Sequence, residues 1–171
     1  MDSPKGSLLI VDDEAGIRKV LSSILQKYTS SVQTAAHGKE ALDIIRKGSI
    51  DAVLSDITMP TMGGLELLAN IRSMGMETPF VFLTGHGDKE KCIEALRLGA
   101  TDFLEKPFDP PTVIEVIRRA LELSHAMQEV EKETEKLYTS AKIPADEVIR
   151  LRKVRKAIAM MRLAMKIYTK K

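Results

Sequence analysis

The chain has 171 residues and is 44% hydrophobic, enough for one ordinary domain with a sizeable core and an appendage. Its one cysteine, Cys92, excludes an internal disulfide and a cysteine-cluster zinc site; the N-terminus "MDSPKGSLLIVDDE" lacks the apolar core of a secretory signal, and no run approaches the roughly 18 apolar residues of a membrane span, so a cytoplasmic protein is expected. The formal charge of +2 is unevenly spread: 16 Lys and Arg face 22 Asp and Glu through Ala141, and 10 face 2 from Lys142 onwards, a net −6 followed by +8. Such a split points to nucleic acid, an acidic partner, or an acidic neighbour within the same protein.

The elements alternate in chain order. "LLIVD" (8–12) reads as a strand, and Ile17, Val20, Leu21, Ile24 and Leu25 then recur at the steps of three and four that predict an amphipathic helix. "SVQTA" (31–35) is followed by Ala41, Leu42 and Ile45, closing at Lys47-Gly48; "AVLSD" (52–56) is followed by Leu65, Leu68 and Ile71, closing at Met74-Gly75. "FVFLT" (80–84) and "DFLEK" (102–106) complete five strands. From Val113 through Leu137 there is no Gly or Pro, and Ile117, Ala120, Met127, Val130 and Leu137 keep an approximate stripe beside "EVEKETEK", so the fifth helix is expected to run on as one long acidic helix.

"TSAKIPAD" breaks that helix, with Pro144 suited to a first turn and Asp146 and Glu147 to a helix N-terminus. In the last segment Leu151, Val154, Ile158, Met161, Met165 and Tyr168 follow alternating steps of three and four, a heptad seam, while Arg152, Lys153, Arg155, Lys156, Arg162 and Lys166 cover other faces. Three heptads make a marginal coiled coil, so this helix either packs on its own protein or forms a homodimer through the same residues. Strands apolar on both faces need cover on both, which strict βα alternation provides. The fold class expected is therefore α/β, a doubly wound five-stranded parallel sheet, over 1–123. An extension of helix five and linker follow over 124–143, then a basic amphipathic helix over 144–171. The order 2-1-3-4-5 is taken from the flavodoxin-like class of such sheets, whose ligands bind beyond the carboxyl ends of the strands.

Those ends carry the chemistry. Asp12 and Asp13, followed by Glu14, close strand one; Asp56 closes strand three, Thr84 strand four, and Lys106-Pro107 strand five. Clustered carboxylates raise one another's pKa unless a cation sits among them, and hard oxygen ligands suit Mg²⁺. The simpler alternative is that the acids cap helices and begin loops. Taken together, "LLIVDDE", "AVLSDITMPTMGGLELL", "FVFLTGHGD" and "LGATDFLEKPF", in this order over about 120 residues, resemble the receiver domains of bacterial two-component response regulators.

The resemblance implies that Asp56 accepts a phosphoryl group from a histidine kinase or phosphotransfer protein. Asp12, Asp13 and Asp56, with the backbone carbonyl of Thr58, would hold Mg²⁺. Lys106 would pair with the phosphoryl oxygens, Thr84 would be the switch hydroxyl, and Phe103 the aromatic that changes rotamer with it. Pro107 would follow a cis bond that aims Lys106 inward. Thr58 and His86, two beyond the acceptor and two beyond the switch hydroxyl, would set the lifetime of the phosphoryl group; His37 and His125 have no partner at ligand spacing and receive no role. Physically, phosphoryl transfer needs in-line positioning and neutralised oxygens, which a metal and a lysine provide.

The expected protein is thus a phosphoacceptor regulator rather than an enzyme, assisting only its own phosphorylation and dephosphorylation. Its output would run through protein–protein interaction or dimerisation by the tail. A haloacid-dehalogenase-type phosphatase also uses a strand-end Asp, but needs a second acid two residues on, where Thr58 stands. The alternative output is a DNA-binding regulator acting through the basic C-terminal helix. That tail lacks the helices of a helix-turn-helix, zinc ligands and an aromatic platform, which argues against specific nucleic-acid recognition.

Overall fold

The computed structural model describes residues 6–85 and 88–141, with positions 146, 147, 149, 150, 153, 154 and 157 beyond them; side chains of the last long helix are described through 136. Two compact units divide the chain, 1–122 and 123–171.

Strands β1 (Ser7–Val11), β2 (Ser31–Ala35), β3 (Ala52–Asp56), β4 (Phe80–Thr84) and β5 (Asp102–Glu105) alternate with helices α1 (Ala15–Leu25), α2 (Gly38–Lys47), α3 (Gly64–Ser73), α4 (Lys89–Arg97) and α5 (Pro110–Ala141). All neighbouring strands pair in parallel, in the order β2-β1-β3-β4-β5. This is the doubly wound sheet and the order expected from the sequence. β1 and β5 end one residue earlier than their apolar runs suggest, so Asp12 and Lys106 lie just past the last paired residues, where side chains can turn toward a common point.

The continuous apolar runs arise because alternate residues of the central strands feed two cores. Leu9, Val11, Val53, Phe80 and Phe82 pack on one face with Leu67, Leu68 and Ile71 of α3 and Ala95 of α4. Leu8, Ile10, Leu54, Val81 and Leu83 pack on the other with Leu21 and Leu25 of α1 and Val113 and Ile117 of α5. β2, at the sheet edge, exposes Gln33 and Thr34, polar residues that suit a strand bonded on one side only.

Two local devices tie helix starts to the carboxyl edge. His37 caps α2: its Nδ1 accepts the Glu40 N–H at 3.2 Å, while the Glu40 carboxylate accepts the Ala36 N–H at 2.7 Å. This reciprocal capping is a role the sequence reading did not give to His37. In the loop after β3, Met62 N–H donates to the Pro60 carbonyl at 2.8 Å across Thr61, whose φ of 69° closes a three-residue turn. The Met62 carbonyl in turn accepts the Gly38 N–H at 2.9 Å, tying the loop after Asp56 to the start of α2.

In the second unit, Leu123, Met127 and Thr134 are buried, and the Thr134 hydroxyl donates to the Val130 carbonyl at 2.5 Å. Ile149 and Val154 are exposed. Pro144, Leu151, Ile158, Met161, Met165 and Tyr168, with Arg152, Arg155, Lys156, Arg162 and Lys166, lie outside the described residues, as does the Leu137 side chain. Among the described residues no helix is long and apolar enough to cross a membrane.

Gly64 is where the fold sets the position of the site. A Cβ there would stand 2.2 Å from the Asp56 carbonyl oxygen and 2.8 Å from the Phe82 ring, so only a glycine lets α3 begin this close to the end of β3. Gly64→Ala is expected to lower stability by about 1–3 kcal/mol in urea denaturation, because the clash is with backbone rather than a flexible side chain. An unchanged midpoint would show that this approach is not needed.

Candidate functional site

At the carboxyl edge of the sheet, one ammonium joins two carboxylates from different strands. Lys106, just past β5, places Nζ 2.6 Å from Asp56 Oδ1 and 3.1 Å from Asp12 Oδ2. Asp12 is fully buried, and its other oxygen accepts the Glu14 N–H at 2.8 Å. Asp12 therefore holds the turn into α1 and contributes charge to the site at the same time. Asp56 Oδ2 accepts the Thr58 N–H at 2.8 Å, so each oxygen of this carboxylate has a defined donor.

Burial pushes the Lys106 pKa down, but its hydrogen bonds and charge pairing with Asp56 and Asp12 outweigh this, and the net shift is upward. Two carboxylates around one ammonium still leave a negative excess in a half-buried place, with hard oxygen donors. That donor set suits a small divalent cation. Asp13 stands apart: it is exposed, and its backbone carbonyl, with that of Asp12, accepts the Arg18 guanidinium at 3.0 and 2.6 Å. Among the described residues no three His, Cys, Asp or Glu side chains are grouped to hold a metal ion. Asp12 and Asp56 are thus brought together and Asp13 is not drawn in with them.

Thr84 ends β4 as a buried hydroxyl residue, paired in register with Glu105 of β5. Phe103 is half-buried and stacks on Phe82 with ring centroids 6.1 Å apart. The Lys106-Pro107 bond is cis. His86 lies outside the described residues.

Three residues missed by sequence reasoning border the site. Arg18 binds the backbone of the acidic turn, as described. Lys91 of α4 donates from Nζ to the Thr58 hydroxyl at 2.7 Å and to Asp88 Oδ1 at 3.2 Å. Asp88 accepts the Gly85 N–H at 2.8 Å through its other oxygen; this backbone bond first, then Lys91, holds its carboxyl below the usual range. The spacing of Asp88 and Lys91 signals a helix-start ion pair, but nothing in it names the loop that Lys91 reaches.

A parallel α/β sheet thus carries an acid–lysine cluster at its carboxyl edge. The family model "Response regulator receiver domain" matches residues 8–143, and the chain belongs to that family. It is similar to the Regulatory protein AtoC of Escherichia coli (strain K12), 36% identical over 133 residues, 78% of this chain and 29% of that one. It is also similar to the Transcriptional regulatory protein FixJ of Rhizobium meliloti (strain 1021), 37% identical over 113 residues, 66% of this chain and 55% of that one. This chain therefore spans about half or less of these curated relatives.

Among solved structures, the receiver domain of NtrX from Brucella abortus superposes with a TM-score of 0.63 at 38% identity, covering 67% of this chain and 98% of that one. Chemotaxis response regulator CheY4 of Vibrio cholerae gives 0.64 at 38% identity, covering 69% and 100%. The matched region is the receiver domain of a two-component response regulator. Receiver domains generally bind Mg²⁺ at the phosphorylation site.

Because Lys106 binds its proton more tightly when folded, its contribution to stability is full below the ordinary lysine value of 10.5 and is lost as pH rises through the higher folded value. Wild type is expected to lose stability in that alkaline window relative to Lys106→Met. Urea titrations of both proteins between about pH 9 and 12 measure the difference. A pH-independent difference would contradict the charge pairing.

Proposed function

We infer that this chain is a phosphorylation-dependent signalling protein that accepts a phosphoryl group on Asp56 from a phosphohistidine of a histidine kinase or phosphotransfer protein. The observation that carries this reading is Asp56 itself, a carboxylate at the end of a central strand with Lys106 on one oxygen and the Thr58 N–H on the other. An Asp56 oxygen attacks phosphorus, the P–N bond breaks, and the imidazole nitrogen leaves with the electron pair and takes up a proton. Lys106 stands where it can neutralise the transferring oxygens, and the buried Asp12 keeps it there.

Asp12, Asp13, Asp56 and the Thr58 carbonyl would hold Mg²⁺, which supplies further charge neutralisation when bound. For Asp13 this requires its carboxylate to be drawn toward Asp12 and Asp56. Thr84, buried at the end of β4, would serve as the switch hydroxyl, and Phe103 on the neighbouring strand as the aromatic that follows it. The protein is a cytoplasmic regulator whose only chemistry is gain and loss of its own phosphoryl group. The domain division is a receiver over 1–123, a helix extension and linker over 124–143, and a basic helix over 144–171. The +8 charge of the last segment against −6 before it supports output through protein contact or dimerisation by this tail.

With a small-molecule phosphodonor and Mg²⁺, wild type is expected to gain one phosphoryl group mapped to the peptide containing Asp56, and Asp56→Asn none. Intact-mass and peptide-mass measurement checks this. Uptake at another residue, or undiminished uptake by Asp56→Asn, would overturn the assignment.

A further inference from the structure

The loops that leave β3 and β4 at the carboxyl edge are joined by one ammonium. Lys91 Nζ lies 2.7 Å from the Thr58 hydroxyl, two residues past Asp56, and 3.2 Å from Asp88 Oδ1. At each end a backbone N–H extends the connection: Thr58 N–H to Asp56 Oδ2, and Gly85 N–H, next to Thr84, to Asp88 Oδ2, both at 2.8 Å. An unbroken polar chain therefore runs from the acceptor carboxylate through Thr58, Lys91 and Asp88 to the residue after Thr84. β3 and β4 are direct neighbours, with Asp56 opposite Leu83, so this chain crosses the rim beside Asp56 rather than a remote surface. Lys106 closes the Oδ1 side of the same carboxylate.

We propose that Lys91 is a positioning residue that sets the lifetime of the phosphoryl group, by holding Thr58 and Asp88 together across the Oδ2 side of Asp56 and restricting the approach of phosphodonor and water. This rests on Asp56 being the acceptor. An ammonium has three donors, so one Lys91 can hold the hydroxyl and the carboxylate together. Exposed ion pairs add little to folding, so removing this one leaves the domain intact while opening the rim. In the step affected, a water oxygen attacks phosphorus, the bond from phosphorus to the Asp56 oxygen breaks, and the carboxylate leaves with the electron pair. The water's protons pass to phosphate and solvent. Uptake proceeds from the same side, so the bridge slows both directions. A lysine serving only as counter-ion to the phosphoryl group would instead favour uptake and oppose loss.

The test compares the wild-type 171-residue chain, Lys91→Met, Thr58→Val, the double variant and Lys91→Arg. Phosphoramidate and Mg²⁺ supply the phosphoryl group, and rates of uptake and, after donor removal, of loss are followed by intact mass. Lys91→Met is expected to raise both rates about two- to tenfold, the range of one ordinary hydrogen bond. Thr58→Val should act in the same direction, the double variant no further than the larger single effect, and Lys91→Arg should return the rates toward wild type, with the thermal midpoint unmoved. Unchanged rates, additive effects, or slower uptake with Lys91→Met would each overturn the proposal. A wild type that takes up no phosphoryl group on Asp56 would instead overturn the acceptor assignment beneath it.

Discussion

The site depends on one ammonium between two carboxylates. Asp12 has no exposed surface, and an ionised carboxyl in such a place persists only when paired and hydrogen-bonded. Lys106 supplies the charge, and the Glu14 N–H supplies the second bond. The same lysine reaches Asp56 at the end of β3. The cluster thereby spans β1, β3 and β5, and any group added to Asp56 competes for an ammonium already shared with Asp12. A phosphoryl group on Asp56, as proposed, would bring more negative charge to that ammonium than the carboxylate it replaces and so draw Lys106 toward it.

The fold is arranged so that this competition has consequences beyond the cluster. Parallel strands bring all their carboxyl ends to one edge, and the two cores fill both faces up to the last strand residues. Gly64 allows α3 to start against the Asp56 carbonyl, and the turn at Thr61 ties the loop after Asp56 to α2 through Gly38. On the other side, Lys91 and Asp88 connect the same loop to the start of α4. The loop after Asp56 is thus fixed at its end, at its turn and at Thr58.

The strands and their sheet were legible because the apolar runs are short, evenly spaced and interrupted by helical periodicity. Asp12, Asp56 and Lys106 were legible because each stands at the end of such a run. What strand position could not convey was direction. Asp12 and Asp13 are adjacent in the chain, yet one is fully buried and the other exposed, a difference that their shared place after a strand does not reveal. Lys91 was missed because its bond to Thr58 spans 33 positions and joins α4 to a loop whose proximity follows only from the strand order. The capping role of His37 was missed because a ring nitrogen that accepts from backbone looks, in sequence, like any loop histidine.

The most direct test of the account is a backbone and lysine side-chain NMR titration of the full chain, first with Mg²⁺ and then with beryllofluoride, an acyl-phosphate mimic. Mg²⁺ alone is expected to shift the resonances of Asp12, Asp13, Asp56 and Thr58. Adding beryllofluoride should then shift Lys106, Thr84 and Phe103, as the shared ammonium is drawn to the new negative group. Shifts centred elsewhere, or a Lys106 signal that does not respond while Asp56 does, would contradict the view that this ammonium links the acceptor to the rest of the domain.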